Sequence, residues 1–383
     1  MPADIALYSG REQSYIKHQF LTRYLQTAAF KVLQAYSTFN FVDAFAGPWK
    51  VRDEAKYSDA SFDQAIDTLE AVRAELAKGG RRLKLRFCFC ELDPEATNRL
   101  RTYAQSKGNY EIHVFQGRFE DNLDAVASKI PDGFTFTFID PTGWDIRTED
   151  IFQFLRRQKG EFLLNFMADH INRHSEHPPV EGSFGRFLAD PRWKARWASL
   201  PCNIGNEYRI LHLLKERIRE EGLATYLPDF SIMLPREDRL KMRLVLGTKN
   251  ERGLEVFREV ERIVELEEIK LRDELRRTDP MQVRLFSDDD LAAMVQGIKG
   301  VGCTKYRTLA EERVTEFLQS RPSAVFRAAA LHAMSEVPIR MTDARDIVVD
   351  MKRRGVLTFD LEPGKRKPQD NTILKLSQVS VDT

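Results

Sequence analysis

Phe41-Val42-Asp43-Ala44-Phe45-Ala46-Gly47-Pro48-Trp49 is the stretch from which the rest of the chain is read. Phe39, Phe41 and Val42 make a short apolar run that ends in a carboxylate, Asp43, and a Gly-Pro turn follows at once. A buried parallel strand is such a run, and the carboxyl edge of an open α/β sheet is where ligands bind. The stretch therefore reads as the first strand of an α/β sheet, breaking into a tight, cofactor-sized turn with Asp43 on the ligand edge.

The composition limits what this turn can belong to. At 383 residues the chain has room for two domains or one enlarged one. With 42% hydrophobic and 31% charged residues it reads as an ordinary soluble globular protein, neither disordered nor membrane-embedded. No apolar run approaches a membrane span, and the N-terminus lacks an apolar signal region. Four cysteines in this length make no disulfide framework, so a cytoplasmic location is expected. A net charge of +1 excludes a basic protein that coats nucleic acid but permits a local basic face.

Working outward, Ile16, Phe20, Tyr24, Leu25 and Ala28 recur at helical spacing and predict a helix over 13–36 ahead of the first strand. Lys17 and His18 ride on it, where a solvated face and a place at the cofactor mouth are both open readings. A polar loop, 51–61, leads to a helix over 61–77 closed by Gly79-Gly80, and a second strand over 83–90 runs into Glu91-Leu92-Asp93-Pro94. An acid at the end of the second strand accepts hydrogen bonds from ribose hydroxyls in nucleoside-binding α/β folds, which makes Glu91 the candidate for that task. Cys88 and Cys90 alternate with Phe87 and Phe89, so both thiols share one face and belong to the core; zinc would need two further ligands, and Cys202 and Cys303 are isolated. After a helix over 94–103, a third strand over 111–116 ends at Gly117-Arg118-Phe119-Glu120-Asp121, where Phe119 could wall a cofactor's base or simply turn the chain.

The fourth strand, 134–139, carries the chemistry. It delivers Asp140-Pro141-Thr142-Gly143-Trp144 to the same edge as Asp43. Pro141 cannot continue the ladder, and Gly143 allows close approach of a ligand to the backbone. A carboxylate, bare carbonyls and the plane of Trp144 suit a planar amine such as a nucleobase amino group, although a strand-end turn without ligand fits the same residues. A helix over 149–158 and a fifth strand over 161–166 complete a doubly wound α/β sheet.

Beyond it the pattern loosens. A helical insertion over 167–236, with a helix over 207–221, is expected to cap the substrate side of a first domain spanning 1–250. His170 and His174 within it could share a helix face, but Pro178-Pro179 follows and no metal site is assigned. Residues 240–246 alternate and predict a strand at the sheet edge. The charged, striped segment 251–277 predicts a long helix in a helical linker over 251–305. The tail, 306–383, predicts helices over 309–319, 323–334 and 342–354, then strands over 356–361 and 372–376 joined by a basic loop: a winged-helix-like module. Lys352, Arg353, Arg354, Lys365, Arg366 and Lys367 would contact nucleic acid. Protein docking is the competing reading, because Asp343, Asp346 and Asp350 lie on the same helix.

Four runs together carry a resemblance: Lys17-His18 through Tyr24-Leu25, Val42-Asp43-Ala44-Phe45-Ala46-Gly47-Pro48, Phe138-Ile139-Asp140-Pro141 with Gly143-Trp144, and Glu161-Phe162-Leu163-Leu164-Asn165-Phe166-Met167. In order and spacing they resemble the three-Cys-motif partner proteins (TcmP) over most of residues 13–265. That family is similar to class I S-adenosylmethionine-dependent methyltransferases. The resemblance implies a Rossmann-like methyltransferase sheet and S-adenosylmethionine as cofactor. It puts Asp43, Ala44, Phe45, Ala46 and Gly47 around the cofactor's methionine part, Glu91 on its ribose, and Asp140 with Pro141 at the methyl-transfer site. It also implies a three-Cys-motif protein as a partner. The chain departs from the family where Trp49 follows Gly47-Pro48 and where Ala60-Ser61-Phe62-Asp63 replaces Gly-Ser-Pro-Leu. The expected activity is methyl transfer to an amino nitrogen, of a nucleobase in DNA or RNA. The alternative is a methyltransferase-fold adaptor that binds nucleic acid or a protein without catalysis.

Overall fold

The computed structural model describes residues 4–47, 51–168, 180–277, 287, 289–290 and 301–377. They form two compact units, divided between Lys249 and Asn250.

The first unit is built on a seven-stranded sheet ordered β3-β2-β1-β4-β5-β7-β6. Its strands are β1 (Thr38–Asp43), β2 (Lys84–Glu91), β3 (Glu111–Gln116), β4 (Phe134–Ile139), β5 (Gly160–Phe166), β6 (Asp229–Met233) and β7 (Leu240–Gly247). The first five run parallel, whereas β7 is antiparallel to both β5 and β6. Alternation sends Phe41, Phe87, Phe89 and Phe136 to one face and Val42, Cys88, Cys90 and Ile139 to the other, all of them buried. On the phenylalanine face lie α1 (Glu12–Ala35) and α2 (Ser61–Lys78), with Tyr24 ring-to-ring on Phe136 and Phe62 on Phe89. On the other face lie α4 (Leu123–Lys129), α5 (Thr148–Arg157), α6 (Val180–Leu188) and α8 (Asn206–Glu220). Helices α3 (Pro94–Ser106) and α7 (Trp193–Ser199) complete the unit.

The sequence places β1 to β5 to within a residue or so at their ends. It misses β6 and therefore gives β7 the wrong station. The edge strand is β6, and β7 lies inside, hydrogen-bonded on both sides, so the buried run Met242–Leu246 is explained by two neighbours. Charge fixes this corner as well: Asp229 of β6 accepts from Lys215 and from Arg243 of β7, and these cations hold its carboxyl far below the usual range despite burial. The reading of 167–236 as loose chain ahead of one helix missed α6 and α7. His170 and His174, like Pro48 and Trp49, lie outside the described residues.

The second unit holds α9 (Glu251–Arg277), α10 (Val301–Gln319), α11 (Phe326–Glu336) and α12 (Met341–Arg353), with a three-stranded antiparallel sheet ordered β8-β10-β9. Its strands are β8 (Ala324–Val325), β9 (Leu357–Thr358) and β10 (Ile373–Leu376). Helix α9, expected as linker, is part of this unit: Arg258 Nε donates to the Met334 carbonyl at 2.8 Å, and Arg327 pairs with Glu251 and Glu255. Among the described residues no helix is long and apolar enough to cross a membrane.

Candidate functional site

The strand order reverses between β1 and β4, and in open α/β sheets the ligand crevice lies outside the carboxyl ends at that switch point. The turn after β1 is stitched to both neighbours. Ala44 N donates to the Phe138 carbonyl of β4 and Ala46 N to the Cys90 carbonyl of β2, each at 2.9 Å. Asp43 is fully buried beneath this turn. Its carboxylate accepts from Ser61 Oγ at 2.8 Å and from Phe45 N at 3.2 Å. Burial pushes its pKa up to about 7, opposed by the Ser61 hydrogen bond and reinforced by the Asp140 charge.

A cavity of about 240 Å³ opens beside the turn, lined by the ends of β1 to β4. From β1 come Ala44 and Phe45, from β2 Glu91 and Leu92, from the β3 turn Arg118, Phe119 and Glu120, and from the β4 turn Pro141 and Ile146. Glu91 is buried, with Oε1 accepting from Asp93 N at 2.6 Å, while Asp93 caps α3 through Ala96 N. Phe119 stands edge-on against Phe154 and presents an apolar wall. Glu120 is buried at the cavity edge and accepts from Arg147 N at 2.9 Å. Leu92, by contrast, is 58% exposed, which leaves an apolar surface free at the cavity mouth. Across that mouth Arg118 pairs with Asp145, which also takes Arg186 of α6.

Asp140 lies next to the cavity, where β4 meets β5. Lys17 of α1 donates to its Oδ2, and Asn165 Nδ2 of β5 to its Oδ1 at 2.6 Å. The structure thus gathers Ala44, Phe45, Glu91, Phe119 and Pro141 around one cavity, with Asp140 beside it. Asp43 is inward of the turn, and Ala46 and Gly47 continue it without lining the cavity. Trp144 departs from expectation. Its indole is buried, in T-shaped contact with Phe184 at 4.7 Å and Phe187 at 6.1 Å, so α6 encloses the ring expected to stack on a ligand.

Asn165, Leu92 and Glu120 are what sequence reasoning left without a role, and for Lys17 it left a solvated face and a place at the cofactor mouth both open. Only their places in the turns just after β2 and β3 could have found Leu92 and Glu120. Lys17 meets Asp140 across 123 residues, a separation that no local pattern encodes. His18, its neighbour, is inside too, with Nδ1 and the Tyr8 hydroxyl 2.8 Å apart, and burial lowers its pKa well below the usual value.

In the second unit the six basic candidates divide. Lys352 donates to the Phe359 carbonyl and lies over that ring, Arg353 pairs with Asp350, Arg354 with Glu311 and Lys367 with Asp346. Lys365 and Arg366 have no such partner among the described residues. Two of the acids noted on α12, Asp346 and Asp350, are thus counter-ions of bases expected to meet phosphate, whereas Asp343 pairs with Arg340.

The sequence matches no family model and no curated protein. Solved structures similar to the chain include a putative O-methyltransferase from Klebsiella pneumoniae, 12% identical, covering 65% of this chain and 92% of that one with a TM-score of 0.32. An O-methyltransferase from Bacillus cereus in complex with SAH is 10% identical, over 60% and 80% of the two chains, at 0.29. A putative methyltransferase, yhhF, from Escherichia coli is 11% identical, over 59% and 85%, at 0.27. At such values the likeness decides nothing about residues or substrate. The Rossmann-like, doubly wound fold of the first unit rests on its own strand order.

Proposed function

We propose that the protein is an S-adenosylmethionine-dependent methyltransferase that acts on an amino nitrogen of a nucleobase in DNA or RNA. One observation carries the reading: the cavity at the switch point combines a buried acid at the end of β2, Glu91, with the apolar walls Phe45, Leu92, Phe119 and Ile146. This donor set fits a nucleoside. Glu91 would accept from ribose hydroxyls, the apolar walls would hold the base, and Glu120 could accept from the base's amino group. The cofactor would supply an electrophilic methyl group. What is left to the chain is alignment of the amine and exclusion of water. Asp140 and the Pro141 carbonyl would accept the amine's hydrogens and leave its lone pair free. Trp144 is omitted from this reading because its indole is buried in the core.

The resemblance to three-Cys-motif partner proteins is compatible with this and adds a three-Cys-motif protein as partner. The part of the second unit after α9, with α10, α11, α12 and a small antiparallel sheet, is read as the winged-helix-like module that grips the polymer through Lys365 and Arg366. The reading is tested by calorimetry with S-adenosylmethionine. Binding by the wild-type protein is expected, with Glu91→Ala weakening it by about 1.5–3 kcal/mol, the value of a charged hydrogen bond. A wild-type protein that binds no S-adenosylmethionine would instead be an adaptor, and a folded Glu91→Ala protein of unchanged affinity would remove that residue from the site.

A further inference from the structure

Asp140 is held from two sides by residues to which the chemistry above gives no part. Lys17 and Asn165 are buried, at 9% and 2% exposure, whereas the Asp140 side chain keeps 19% of its surface open. The orientation of the Asn165 amide follows from the contact itself, since an ionised carboxylate only accepts, so the nitrogen must face Asp140. The amide oxygen is then left buried with no hydrogen-bond partner among the described residues. A buried carbonyl without a donor destabilises a fold, and leucine at this place would have avoided the loss. Such a broken local rule beside a candidate site points to function, because the orphaned oxygen offsets the stability that the bond to Asp140 brings.

We propose that Asn165 is a positioning residue for methyl transfer: its amide fixes the plane of the Asp140 carboxylate, so that the open side of that group meets the reacting amine. Lys17 balances the charge and Asn165 sets the angle. The inference rests on the methyl-transfer reading, and an acceptor displaced by about 1 Å is enough to cost on the order of 10²-fold in rate.

Two probes test it without knowledge of the substrate. They are S-adenosylhomocysteine and sinefungin, in which an amine-bearing carbon replaces the sulfonium and its methyl. The sinefungin amine is a donor at the methyl position, and a well-placed Asp140 should reward it. Calorimetry on the wild-type protein should find sinefungin bound about tenfold more tightly, the factor that one charged hydrogen bond supplies. In Asn165→Leu that preference should fall about tenfold, with S-adenosylhomocysteine affinity kept and Tm unchanged or raised. A preference retained in Asn165→Leu, a wild-type protein without preference, or a lowered Tm in the variant would each overturn the positioning role. A wild-type protein that binds neither probe would remove the methyl-transfer reading itself, and this inference with it.

Discussion

Asp43 has no contact with water, and that decides how it behaves with pH. Its carboxyl is pushed from 3.8 to about 7, first by burial and further by the charge of Asp140. Between those two values the folded protein binds a proton that the unfolded chain releases, so stability falls as pH rises through the window and levels off above it. Asp43→Asn lacks this titration. Thermal denaturation should therefore find the Tm of the variant gaining on that of the wild type from about pH 4.5 to about pH 7.5, and a constant difference would show that the group does not titrate there. The sequence singled out Asp43 correctly as the end of β1. That it serves the turn through Ser61 and Phe45, and not the cavity, depends on where α2 starts in space.

At the scale of elements, the β4–β5 pair is the joint on which the site depends, since Asp140 and Asn165 follow it at one end. At the other end Gly160 pairs with Thr135 across the parallel ladder. A methyl group on Gly160 would stand 1.7 Å from the Thr135 carbonyl oxygen, and its nearest neighbours are all Thr135 backbone, with no flexible side chain to yield. Gly160→Ala should cost about 3 kcal/mol, the upper end of ordinary overpacking. In a unit of this size that lowers Tm by roughly 6–12 °C. A Tm within a degree of wild type would mean that the two strands part easily. The strands themselves were legible from short apolar runs closed by Asp, Glu or Gly. β6 was not, because Asp229–Met233 is short and its partner strand lies on after a turn, and β7 alone reads as an edge.

At the scale of the whole molecule, each unit carries its own half of the proposed activity. Lys365 and Arg366 are the cations on the tail loop without a counter-ion among the described residues, whereas Lys367 is engaged by Asp346. Replacing Lys365 and Arg366 together by alanine should weaken binding to DNA or RNA and reduce the salt slope by up to about two, near one unit for each phosphate no longer neutralised. Lys367→Ala should change it less, and equal effects would mean that the Asp346 pair opens on binding. S-adenosylmethionine affinity should be untouched by either change. The amino-acid sequence by itself determined the alternating plan of strands and helices, the carboxylates at strand ends, and the basic composition of the tail, because each is written in a few neighbouring residues. Tertiary structure alone decided that α6 covers Trp144, that α9 joins the second unit, that the acids of α12 neutralise several of the tail's bases, and that Lys17 and Asn165 converge on Asp140. Those facts are pairings between residues far apart in the chain, and no period or local motif carries information about which distant partner a buried charge will meet.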